Sequence, residues 1–75
     1  MKKAYREGSA MRLVFDEIRY IPERGERVIS SEWFRFNCIS VETFRCCIHK
    51  IAKVSGAIFK TKLLDGGNVI IKRVR

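Results

Sequence analysis

The sequence predicts one small α+β domain in which helices come first and a β-hairpin closes the chain. Two observations carry this prediction. Apolar residues recur at helical spacing up to Gly56, and after it the period becomes two. Between two short β-patterned runs stands Asp65-Gly66-Gly67-Asn68, which supplies the glycines of a tight hairpin turn. With 75 residues the chain has room for a single domain, and it buries only about 60% of the surface it exposes unfolded. The domain is expected over residues 9–75, with residues 1–8 as a flexible basic arm.

Ser9 is placed to cap a first helix running from Ala10 to about Ile21, where Pro22 stops it. Met11, Val14, Phe15, Ile18 and Ile21 form its apolar stripe. Val28-Ile29 reads as a brief strand. Ser30 or Ser31 then opens a second, short helix from Glu32 to about Asn37 that holds Trp33, Phe34 and Phe36. So dense an aromatic cluster is expected in the core. The third helix is the clearest element: Ser40 caps it, Glu42 sits in its first turn, and Gly56 stops it after Ser55. At about 100° per residue, Val41, Phe44, Cys47, Ile48, Ile51 and Val54 gather on one side of this helix. The other side carries Glu42, Arg45, Cys46, His49, Lys50 and Lys53.

The hairpin strands are expected over Ile58 to Leu64 and Val69 to Val74. Pairing Leu64 with Val69 sets Lys62 opposite Ile71 and Lys60 opposite Arg73. Lys60, Lys62, Arg73 and Arg75 then share one basic surface, with Phe59, Thr61, Leu63, Ile70 and Val74 on the packed side. Lys72 interrupts that side and snorkels at its edge.

Composition narrows the function. Hydrophobic residues at 47% and aromatics at 11% are too many for a disordered tail. No apolar run exceeds three residues, far short of the roughly 20 that a membrane span needs. Basic Met1-Lys2-Lys3 is followed by no apolar stretch of the kind a signal peptide requires. Cys38, Cys46 and Cys47 are therefore read as reduced thiols of a cytoplasmic protein. Adjacent Cys46 and Cys47 on a helix point about 100° apart and do not converge on a metal, so neither a metal nor another cofactor is expected. Cys46 and His49 can touch at i,i+3, but no nucleophile motif, phosphate loop or apolar carboxylate pair accompanies them. Neither catalysis nor a small-molecule substrate is expected.

Charge gives the positive signal. The chain carries 16 Lys and Arg against 8 Asp and Glu, a net +8. From Met1 to Asn37 there are eight basic and six acidic residues, a net +2; from Cys38 to Arg75 there are eight and two, a net +6. A field this one-sided points to a polyanion, nucleic acid first and anionic membrane second.

Helix, short strand, short helix, tight turn, long helix, hairpin: this order resembles a winged helix-turn-helix domain across residues 9–75. The resemblance implies that helix Val41–Ser55 enters the major groove of double-stranded DNA after the turn Asn37-Cys38-Ile39-Ser40. The hairpin then rests on the backbone as a wing. Its tip carries Asp65 and no cation, so the strand lysines approach phosphates from the side. The expected contacts are Arg45, His49, Lys50, Lys53, Lys60, Lys62, Arg73 and Arg75, with Arg45 nearest the helix start and suited to a guanine edge. A regulator or recombination accessory factor of phage or plasmid type fits a domain of this size. The first helix is available to pair two copies, which gives a homodimer on a palindromic site. Two other functions stay open. One is an interaction module that inhibits an acidic host factor. The other is RNA binding, which wants exposed aromatics that the ribbon's basic face lacks.

Overall fold

A computed structural model describes residues 5, 6 and 8–75. Its elements run α1 (Ala10–Ile18), β1 (Glu26–Ile29), α2 (Ser31–Asn37), α3 (Val41–Ser55), β2 (Phe59–Leu63) and β3 (Val69–Arg73). The three strands form an antiparallel sheet in the order β1-β3-β2, with the helices on one of its faces. This α+β arrangement is consistent with a winged helix-turn-helix.

Serine caps open all three helices. Ser9, Ser30 and Ser40 are extended, and each side chain accepts the backbone N–H three residues on, from Arg12, Trp33 and Thr43. Helix α1 ends at Ile18, earlier than the expected Ile21. A residue before proline is driven out of the α region, and Ile21 N–H instead donates to Ile18 O while its side chain is buried. Most of the proposed arm (residues 1–4 and 7) lies outside the described residues. Of its remainder, Tyr5 packs edge-on against Phe15 at 5.2 Å, and Ser9 N–H donates to Arg6 O.

One core joins the two layers. Val14 and Ile18 of α1, Phe34 of α2, and Phe44, Cys47, Ile48 and Ile51 of α3 meet Ile29, Val69 and Ile71 of the sheet. At its centre, Phe44 is fully buried between Phe34 and Trp33, with ring centroids at 5.1 and 5.7 Å. Of the residues expected on packed faces, Leu63 and Val74 of the hairpin are exposed, and so are two from the helices. Val54 is 82% exposed, because packing on α3 stops at Ile51. Phe36 is 88% exposed, because α2 turns Trp33 and Phe34 inward and leaves Phe36 on its far side.

The hairpin departs from the expected register by one residue. Leu63 pairs with Val69, Thr61 with Ile71, Lys60 with Lys72 and Phe59 with Arg73. Its loop is five residues long: Leu64 N–H donates to Asn68 O at 2.7 Å, and Gly67 N–H to Leu64 O at 3.2 Å. Gly66, at φ 82° and ψ 2°, holds the third position of that turn in the left-handed region that favours glycine. A one-residue shift moves every side chain of a strand to the other face. Val69 and Ile71 therefore face the helices, while Ile70 and Lys72 face outward. Arg73 is turned inward, away from the surface it was expected to share with Lys60 and Lys62.

The loop is also anchored. Asn68 Oδ1 accepts the N–H of Ser31 at 2.8 Å, and a Cβ on Gly67 would lie 3.2 Å from Ser31 Cβ. The hairpin tip is thus docked at the start of α2.

Candidate nucleic-acid interface

The connection between α2 and α3 sets the angle at which α3 leaves the core. Cys38 adopts a left-handed conformation, φ 55° and ψ 41°, and its N–H returns to Arg35 O and Phe34 O. Ile39 N–H donates to Phe34 O at 3.0 Å, which completes a Schellman-type ending. Ile39 is buried, so a short tight turn pins the two helices together. Ser40 then restarts the chain as α3, and Gly56 at φ 81° terminates it.

Because Phe44, Cys47, Ile48 and Ile51 face the core, the opposite side of α3 faces solvent. Arg45, His49, Lys50 and Lys53 are all exposed there. Arg45, His49 and Lys53 follow one another at i,i+4 along roughly 12 Å of helix, with Lys50 beside them. A helix with its side chains is about 10–12 Å across, which a major groove about 12 Å wide admits.

These cations are uncompensated. All three ion pairs among the described residues lie in the N-terminal half: Arg12–Asp16 at 3.1 Å, Arg19–Asp16 at 3.8 Å and Arg27–Glu17 at 2.7 Å. Asp16 and Glu17 of α1 are engaged with Arg12, Arg19 and Arg27. Arg45, Lys50 and Lys53 have no ion-pair partner among the described residues, and the only acid on α3 is Glu42 in its first turn. Three arginines of the N-terminal half are thus paired, while the cations of α3 face solvent without a carboxylate partner among the described residues.

The hairpin residues divide. Lys60 and Lys62 are exposed on the outer face of the sheet, as the alternation of β2 requires. Arg75 is exposed at the end of the β3 run. Arg73 is half-buried and structurally engaged: its Nη1 donates to Ile21 O at 3.1 Å and its Nε to Arg75 O at 3.2 Å. It ties the sheet to the segment after α1. Lys72 takes the outward place instead. Sequence reasoning missed that role because Val69-Ile70-Ile71 shows no alternation from which to choose a face.

Cys47 is buried, and desolvation pushes its thiol above the usual range, with Lys50 pulling the other way and Cys46 adding to the rise. Cys38 and Cys46 are exposed free thiols. An open cavity of about 300 Å³ lies among the ends of α1 and α3 and the sheet, lined by Phe15, Ile18, Ile51, Phe59, Arg19 and Arg73 with Ser55 and Ala57. Its wall holds no carboxylate, imidazole or thiol, and so no acid–base pair. Among the described residues no cluster of three metal-ligating side chains occurs and no helix is long and apolar enough to cross a membrane.

No family model, curated protein or solved structure matches this chain.

Proposed function

We propose that the protein binds double-stranded DNA by laying the exposed face of α3 in the major groove. The observation that carries this reading is the set of uncompensated cations on one side of a helix whose other side holds the core. A helix of this kind presents charge at the spacing of a groove while its back stays fixed. Arg45, in the second turn of α3, takes the base-reading role, since a guanidinium fork can meet the O6 and N7 edge of guanine. His49 lies one turn further along the same stripe. Lys50 and Lys53 neutralise phosphates and set the register of the helix on the duplex. The protein acts in this reading as a small cytoplasmic DNA-binding regulator or accessory factor, with binding rather than catalysis as its activity.

Fluorescence anisotropy on labelled duplex, single-stranded DNA and RNA across a salt series tests this. Two to four phosphate contacts from α3 give a slope of log K against log salt of roughly −2 to −4 on duplex DNA, at about −0.9 each. Tighter binding to single strands or RNA at every salt concentration would replace this reading.

A further inference from the structure

The register of the sheet creates a second basic surface apart from α3. Lys60, Lys62 and Lys72 all leave the outer face of the sheet, whose other face carries buried Ile29, Val69 and Ile71 onto the helices. Lys60 and Lys72 are direct cross-strand partners, an arrangement that like charges disfavour. Glu26 sits on the other side of Lys72, yet no ion pair joins them among the described residues. Lys62 stands two residues along β2 from Lys60, at about 7 Å. Three ammonium groups are thus held on one side of a ladder, with the apolar side chains of Ile70 and Val28 in the row beside Lys62. Repulsion of this kind is relieved by an anion placed between the charges.

A second copy of the chain does not fit this face, since stacking two such sheets would set lysine against lysine. The side of α3 that holds the first duplex belongs to the helix layer, whereas these lysines stand on the face of the sheet that the helices leave bare. The two cation sets leave from opposite layers of the fold, one from the helices and one from the far side of the sheet. DNA has a persistence length of about 50 nm, so over a molecule 39 Å in its longest dimension it is effectively straight.

We propose that Lys60, Lys62 and Lys72 hold a second duplex while α3 holds the first, so that one copy bridges two DNA segments. This rests on the α3 reading and adds a function to it.

The test uses one duplex fixed to beads, protein at one copy or fewer per duplex, and a second, fluorescent duplex in solution. Wild type should capture the fluorescent duplex. The K60A/K62A/K72A variant should bind the first duplex within about threefold of wild type and lose capture by about tenfold or more. The matching K60R/K62R/K72R variant should retain capture, which separates charge from fold. Three results would overturn the proposal and leave the α3 reading intact. Wild type binds the first duplex but never captures a second; the alanine variant bridges as well as wild type; or the alanine variant loses the first duplex as strongly as the second. Failure of wild type to bind the first duplex would remove both.

Discussion

Replacing Phe44 by alanine tests which way α3 faces, and with it every assignment made to its exposed side. The ring is 0% exposed and contacts Phe34 and Trp33 edge-on. A buried Phe→Ala change costs about 3–5 kcal/mol, from lost transfer energy and the cavity left behind. At roughly 0.05–0.15 kcal/mol per residue, a chain of 75 residues holds about 4–11 kcal/mol in total. The variant should therefore lose about a quarter or more of its stability. For a domain of this size, 3 kcal/mol lowers Tm by at least about 12 °C. Trp33 is the only tryptophan and touches the Phe44 ring, so urea unfolding followed by its fluorescence reads the change directly, with circular dichroism as the second probe. Val54→Ala is the matched control on the same helix, and at 82% exposure it should stay within about 0.5 kcal/mol of wild type. An unchanged midpoint for Phe44→Ala, or an equal loss for Val54→Ala, would refute the orientation of α3.

Asn68→Ala should cost about 1 kcal/mol and speed amide exchange at Ser31, whose N–H loses its acceptor in the docked hairpin tip. Asn68→Asp keeps an acceptor at the start of α2, where the helix dipole favours negative charge, and should restore protection. A thiol reagent should label Cys38 and Cys46 quickly and Cys47 only as the protein unfolds. Burial raises the Cys47 pKa in the folded state, so above about pH 8.5 the unfolded chain binds fewer protons than the folded one. Stability should then fall as pH rises past that point, and Cys47→Ala should flatten this fall in pH-dependent urea midpoints.

The parts of this fold legible in the sequence are those fixed by local chemistry. Ser40 and Gly56 bound α3 because a side-chain cap and a positive φ are properties of single residues. The two faces of α3 were legible because its period is unbroken for three turns. What the sequence left undetermined depended on tertiary packing. Lys60-Thr61-Lys62 sets the faces of β2 by its own alternation, but Val69-Ile70-Ile71 suits either face. The loop decides between them, closing on the Leu64–Asn68 pair rather than on Leu64–Val69. That single residue sends Arg73 inward to Ile21 and Lys72 outward to Lys60. The exposure of Phe36 and Val54 has a similar origin. Both fit an apolar stripe, yet neither has an element packed over it.

The central claim is that the solvent face of α3 meets the phosphates of duplex DNA, and the K50A/K53A variant tests it most directly. Both side chains are exposed on the side of α3 opposite the core residues that hold the helix, so the fold should survive, as unfolding midpoints would show. Affinity for duplex DNA is measured from low to moderate salt for wild type and variant under identical conditions. Loss of two phosphate contacts should make the slope of log K against log salt shallower by about two units, with weaker binding at low salt. An unchanged slope in a folded variant would contradict the account, because the contacts would then lie elsewhere on the molecule.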